Sequence, residues 1–383
     1  VKHLGPLTVG IVGLATPAVP FLEDSARIAG YGFGSPVAAA RAEVRRLREV
    51  EHCDVIVVLA HMGLEPDSVA TAPHGADELD ENWGRRVAQS VPGIDAIVLG
   101  HTHATMPSAE VNGVLVTQAG VSGQALGRID LSFTRLGATD RWTVAARRAR
   151  VIAVTDTTPT DAGLAGFAEP YQQAAQIELE RVIGTAARGL AAPRGRFDDG
   201  ALWELIQRIQ LEASDADVSL AALYDPQQKI APGPVTVRDA MRLYPYDNTL
   251  AVVELTGAEL TRVLEHSARF LAPYDVASDQ PLAAPGMAGY NFDAAEGVSY
   301  EIDLTRPAGE RVQHVMWRGA PLDPGQKLTV AVNSYRANGG GGFPALRGAR
   351  HVWRTGRPVR DLIVDAIARA KTVDGAFTRN WTL

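Results

Sequence analysis

The side chains best suited to chemistry stand in Gly100-His101-Thr102-His103. They close an apolar run, Ile94-Asp95-Ala96-Ile97-Val98-Leu99, that follows Pro92-Gly93. An apolar run bounded by such a breaker pair predicts a buried strand. If the chain stays extended through His103, the two imidazoles lie at i and i+2 and point to one side. Paired neutral imidazoles are good donors for zinc, manganese or iron. On spacing alone, two surface histidines in a turn fit equally well. A second run, Asp54-Val55-Ile56-Val57-Val58-Leu59-Ala60, leads into His61-Met62-Gly63. Two strands thus each deliver imidazole at a carboxyl end, where ligands of open α/β sheets gather. In a parallel sheet those ends share one edge, so His61, His101 and His103 are expected to converge there.

Together the two motifs resemble the later part of a metallophosphoesterase domain. A companion set lies downstream: Tyr244-Pro245-Tyr246-Asp247-Asn248-Thr249-Leu250, then Asn333-Ser334-Tyr335-Arg336-Ala337-Asn338 and the glycines after it. That set resembles the C-terminal domain of the 5'-nucleotidase family. Within the family the chain is most similar to the 2',3'-cyclic-nucleotide 2'-phosphodiesterase/3'-nucleotidases. The resemblance spans essentially the whole chain. It implies an α/β fold: the C-terminal half of a metallophosphoesterase α/β/β/α sandwich, then a 5'-nucleotidase-type C-terminal α/β domain. Three domain boundaries follow: 1–154 for the metal domain, 155–196 for a linker with a helix, and 197–383 for the substrate domain.

The resemblance also implies a chemistry. Family members hold two divalent metals, Zn, Mn or similar, about 3.5–4 Å apart, which polarise the phosphate and activate a water. His61 and His101 would ligate one metal and His103 the other. The remaining ligands, and the histidine that stabilises the transition state, belong to Asp-x-His, Gly-Asp and Gly-Asn-His motifs that do not occur here in a suitable context. The expectation is therefore a fragment that binds metal weakly or not at all and is inactive alone, within a whole protein that is a phosphoric ester hydrolase. Hydrolysis of 2',3'-cyclic nucleotides and 3'-nucleotides is the leading reading. A 5'-nucleotidase or UDP-sugar hydrolase, and a non-catalytic nucleotide-binding fragment, are the alternatives. Export to periplasm, cell wall or medium is implied by the resemblance, although Val1-Lys2-His3-Leu4-Gly5 opens the chain without a signal peptide.

The nucleoside is expected in the second domain. Phe343 matches the position of a base-stacking aromatic in 5'-nucleotidases. Tyr246 lies in the loop that supplies the opposite wall, with Leu250 the other candidate for that position. The loop Gly339-Gly340-Gly341-Gly342 can take positive φ and bring backbone close to a ligand, so Gly340 and Gly341 join the candidates. Asn333 and Arg336 could hold ribose or phosphate. Packing in the core is the plainer alternative for both aromatics, and the binding role is favoured over it because a glycine-flanked aromatic in a loop has little reason to be core. The glycines do not make a dinucleotide fingerprint, because Pro344 intervenes before any helix.

Composition narrows the partners. A hydrophobic share of 46% with 21% charged residues marks a globular chain with core enough for two domains. The net charge of -7 and the lack of a basic stretch exclude a nucleic-acid polymer as partner. A small nucleotide or nucleoside remains compatible. Cys53 is the only cysteine, so no internal disulfide or thiolate-rich zinc site is possible. No apolar stretch is long enough to span a membrane.

The positioning elements read as alternating strands and helices. Leu7 to Ala15 predicts a strand. Ser35-Pro36 predicts a helix start, with Val37, Ala40, Val44 and Leu47 on one face. Leu79, Trp83, Val87 and Val91 predict a helix over 77–91. Asn112-Gly113 predicts a hairpin turn, and two strands follow, one around Ile129, Leu131 and Phe133 and one from Trp142 to Val154. A helix is predicted from Tyr171 to Ala187 and another from Ala201 to Ala213. Thr256-Gly257-Ala258-Glu259 has the form of a capping box. Asp54, Asp95 and the other six histidines are read as structural or surface residues.

Overall fold

The computed structural model describes residues 1–23, 27–65, 81–135, 137, 141–274, 282–284 and 287–383. The chain divides into two compact units, Val1–Pro20 with Ser25–Asp161, and Phe21–Asp24 with Ala162–Leu383.

The first unit is built on a six-stranded sheet in the order Lys2–Leu4, Leu7–Ala15, Val55–His61, Ala96–Leu99, Val114–Ala119, Thr105–Val111. Its four inner strands are parallel and its two edge strands antiparallel. Helix Pro36–Glu49 begins as predicted, with the Ser35 hydroxyl accepting the Ala38 N–H at 3.3 Å. Its face of Ala40, Val44 and Leu47 packs with Val12, Ile56, Val58 and Ile97. Each Val, Leu or Ile among them contributes about 1.5–3 kcal/mol when fully buried. Of the helix expected over 77–91, Gly84–Ser90 is present and 77–80 lie outside the described residues. The Asn112-Gly113 hairpin forms, both residues taking positive φ (51° and 75°) as a type I′ turn demands. A second sheet is the hairpin Ala125–Arg135 with Trp142–Ala153.

Two carboxylates fasten the amino ends of the parallel strands. Asp95 accepts the Ile56 N–H at 2.9 Å and pairs with Arg48 at 2.6 Å and Arg147 at 3.0 Å. Asp54 accepts the N–H groups of Thr8 and Trp142 at 2.9 and 3.0 Å. Both sit at the sheet edge opposite the histidines, in the structural role expected of them.

The second unit centres on a five-stranded sheet in the order Asp293–Glu296, Val218–Ala222, Lys327–Asn333, Thr249–Thr256, Arg350–Pro358. Helices Ala201–Ser214, Gly257–Ala268 and Val359–Ala370 share its core. Leu202, Leu205, Ile206 and Ile209 all face inward as their spacing predicts. The capping box at Thr256 and Glu259 is present, and a second links Thr236 with Asp239.

The linker region differs from expectation. The helix runs Ala162–Glu180 with Pro170 inside it, and Val182–Ala186 is a strand. That strand pairs with Gly233–Thr236 and Thr372–Val373. Partners that far along the chain outweigh local helix propensity. Residues from Ala162 onward belong to the second unit, so 155–196 is not a separate connection. Among the described residues no helix is long and apolar enough to cross a membrane.

Candidate functional site

Sheet register sets the histidines. Ala60 pairs with Leu99, so the chain leaves two neighbouring strands at one level. The rings of His61 and His101 meet with centroids 5.3 Å apart at 63°. Gly100 makes room for this approach, since a Cβ there would lie 3.3 Å from His61 Nδ1. Burial, and then the charges His101 and His103 would carry, push the His61 imidazole below the ordinary histidine range. His61 therefore stays neutral near pH 7, the form that donates a lone pair.

The extended geometry expected at 100–103 does not occur. The strand ends at Leu99, the Thr102 N–H donates to the Gly100 carbonyl at 2.8 Å, and the chain turns. His101 and His103 adopt φ of 68° and 58°. The left-handed region is costly for residues with a Cβ and recurs at functional sites. The sequence reading missed Glu81, whose carboxylate accepts from His101 Nε2 at 2.7 Å. Its partner is 20 residues away, and nothing in the local pattern marks it.

Among the described residues no group of three or more His, Cys, Asp or Glu is arranged to hold one ion. A divalent ion needs about four donors. Two imidazoles, one of them anchored by a carboxylate, fit part of a metal centre and not a whole one. The remaining histidines have plainer places. His266 donates from Nε2 to the Gly341 carbonyl at 3.0 Å, His314 faces Glu301 at 3.0 Å, and His3, His52 and His351 are exposed. His74 lies outside the described residues.

The second unit holds a cleft of about 490 Å³ whose lining includes Tyr224, Tyr246, Tyr290, Pro245, Arg238 and Arg242. Tyr246 is 43% exposed there, and its ring and that of Tyr224 meet edge-to-face with centroids 4.9 Å apart. Leu250 is buried in the sheet and is no rival for this wall. The Tyr224 hydroxyl accepts from Asn333 Nδ2 at 3.3 Å and donates to the Tyr244 hydroxyl at 3.4 Å.

Phe343 does not face Tyr246 across this cleft. It is 1% exposed, packed beside His266 at 4.3 Å and under the Arg336 guanidinium at 4.5 Å. The glycine loop folds onto its own chain. A Cβ on Gly340 would lie 2.5 Å from the Tyr335 ring, and one on Gly341 (φ 76°) would strike Arg336. Arg336 is committed as well. It pairs with Asp293 at 2.7 and 3.1 Å and donates to the carbonyls of Tyr290 (2.5 Å) and Gly340 (3.0 Å) and to Asn291 (3.4 Å). All five guanidinium donors are used, leaving none for ribose or phosphate. Asn333 caps the helix Ser334–Ala337, accepting the Arg336 N–H at 2.9 Å. These residues organise the cleft's surroundings, and Tyr246 is the candidate that stands in it. A helical turn, Pro344–Arg347, does follow the glycines, with Pro344 as its first residue.

Comparison with known proteins places these features. Residues 182–348 match the family model described as the 5'-nucleotidase C-terminal domain. A trifunctional nucleotide phosphoesterase protein of Bacillus subtilis is 27% identical over 98% of the chain and 28% of its own length. A 2',3'-cyclic-nucleotide 2'-phosphodiesterase/3'-nucleotidase of Salmonella typhimurium is 28% identical over 87% of the chain and 58% of its own length. The chain thus spans less than two thirds of these relatives. A Staphylococcus aureus structure, provisionally named a 5'-nucleotidase and solved with alpha-ketoglutarate, superposes with a TM-score of 0.82 at 26% identity. That match covers 100% of this chain and 74% of the other.

Proposed function

We propose that this chain, which carries a 5'-nucleotidase C-terminal domain at residues 182–348, belongs to a hydrolase of nucleotide phosphoesters acting on 2',3'-cyclic nucleotides and 3'-nucleotides. The observation that supports this most is the tyrosine-lined cleft within that domain. A nucleobase has two apolar faces and a polar rim. Tyrosine rings offer matching faces, and the polar rim beside them is supplied by Arg238 and by Arg242 paired with Asp225 at 2.8 Å. In this reading Tyr246 stacks on the base, and Tyr224 braces it edge-on.

The phosphate would be handled at the histidine cluster. His61, held neutral, and His101, oriented by Glu81, are two ready donors, and His103 is the third candidate. Divalent ions of the Zn or Mn kind would need further ligands there, so no step is assigned to them. Export to periplasm, cell wall or medium belongs to the same reading.

A second reading, nucleotide binding without turnover, is favoured by the lack of a three-ligand group among the described residues. Hydrolysis of 2',3'-cyclic AMP decides between them. We expect none from the 383-residue chain. We expect chelator-sensitive turnover from an upstream-extended protein that carries Asp-x-His, Gly-Asp and Gly-Asn-His motifs. An extended protein that binds the nucleotide without turnover would establish the second reading. UDP-glucose or a 5'-nucleotide hydrolysed in preference would move the assignment to the other family activities.

A further inference from the structure

We infer that Arg196 is a positioning residue for the tyrosine cleft, setting the places of Tyr224 and Tyr290 so that a nucleobase fits beside Tyr246. The inference rests on the proposed function, since it assumes that the cleft takes a base. Arg196 lies in the single turn Gly195–Phe197 and does not line the cleft. Its Nε donates to the Leu223 carbonyl at 2.7 Å and its Nη2 to the Tyr224 carbonyl at 2.6 Å. Those carbonyls come just after strand Val218–Ala222, where the sheet ladder ends. The rigid fork of one guanidinium therefore fixes the backbone that presents Tyr224.

The same guanidinium sets the other wall. It fills the space in front of Gly289, where a Cβ would lie 2.5 Å from Nη1 and 2.6 Å from Cζ. Gly289 opens the turn Gly289–Asn291, which carries Tyr290. Arg336 holds the Tyr290 carbonyl from another direction, at 2.5 Å. Two arginines thus clamp the turn that presents Tyr290, and Arg196 alone also touches the Tyr224 segment.

Arg196 is an uneconomical choice for a simple tie. Burial lowers its pKa, and among the described residues it forms no ion pair, with only the charge of Asp225 bearing on it. A partly buried cation without a counter-ion is costly to a fold. What it provides is a planar fork that reaches two carbonyls and lies flat against a glycine, which neither water nor lysine reproduces.

The test is titration of adenosine into the 383-residue chain by calorimetry, with melting temperature followed in parallel. Variants are Arg196→Met, Arg196→Lys, Gly289→Ala and Tyr246→Ala. Arg196→Met and Gly289→Ala should weaken adenosine binding by roughly ten-fold, the scale of one lost stacking wall, at temperatures where both remain folded. Arg196→Lys, which keeps the charge and loses the fork, should weaken binding to a similar degree. A merely structural arginine would lower the melting temperature and leave the affinity of the folded protein unchanged. If Tyr246→Ala abolishes binding while Arg196→Met and Gly289→Ala bind as the parent does, the inference fails and the base site stands. If the parent does not bind adenosine, or binds it no better than Tyr246→Ala, the base-site reading falls and the inference with it. Should Arg196→Met not fold, Arg196→Lys and Gly289→Ala decide by the same criterion.

Discussion

The Arg336 guanidinium lies 4.5 Å above the Phe343 ring, with Asp293 paired to its Nε at 2.7 Å. The stack explains why a glycine-flanked aromatic is buried. Gly341 lets the loop turn back, and Phe343 covers the face of a buried cation whose edge is neutralised by Asp293. Such a pairing of ring and guanidinium gains strength where water is excluded.

Phe343→Ala is accordingly a stability variant in this structure. Losing a buried aromatic typically costs about 3–5 kcal/mol, and here the Arg336 stack goes with it. Urea unfolding of the 383-residue chain should show a loss on that scale. A folded Phe343→Ala protein of near-parental stability, with weakened adenosine binding, would return Phe343 to the base-stacking role.

Asp293→Asn should be at least as damaging. It leaves the Arg336 charge buried without its partner, a change that costs roughly 3–5 kcal/mol in buried pairs. Chemical denaturation checks this. The double change Arg336→Met with Asp293→Leu should recover part of the loss, because it removes both desolvation costs. A double variant less stable than Asp293→Asn by the full cost of Arg336→Met alone would show that the pair is not coupled.

A pH effect follows from Glu296. Burial, reinforced by the charge of Glu204, raises its carboxyl to about 7, and Asn380 Nδ2 donates to it. A carboxyl whose folded pKa exceeds the unfolded value binds its proton more tightly when folded. Its contribution is complete below the unfolded value and is lost as pH rises through about 7. Glu296→Gln should therefore stabilise the protein at pH 8, by on the order of 1–3 kcal/mol, and leave it little changed at pH 4.5. Thermal melts at both pH values read this. Equal effects at the two values would mean that Glu296 is not the titrating group.

Zinc or manganese titrated into the 383-residue chain should bind weakly and below one equivalent. Two adjoining imidazoles without converging carboxylates make a poor site. Calorimetric detection of two tight equivalents would mean that ligands beyond His61, His101 and His103 are in play.

Much of this was legible in the sequence, for local reasons. Helix Pro36–Glu49, the inward face of Ala201–Ser214, the Thr256 capping box and the Asn112-Gly113 hairpin each carry their signal within a few residues. What stayed hidden depends on distant partners. Val182–Ala186 reads as helix until Gly233–Thr236 and Thr372–Val373 pair with it. Glu81 meets His101, Arg196 meets Tyr224, and Arg336 meets Asp293, none with a periodic trace. The left-handed backbone of His101 and His103 is equally silent, because residue type favours an ordinary conformation there. Phe343 misled by context: glycines signal a ligand loop, and here they allow close packing on Tyr335 and Arg336.

We propose that the tyrosine cleft holds the base of a phosphoester substrate. Steady-state kinetics of Tyr246→Ala in the upstream-extended protein test it most directly, comparing 2',3'-cyclic AMP with the base-free ester p-nitrophenyl phosphate. KM for the cyclic nucleotide should rise roughly ten-fold while KM for the base-free ester hardly moves. Equal effects on both substrates would contradict it, and Tyr246 would then be a surface ring with no part in recognition.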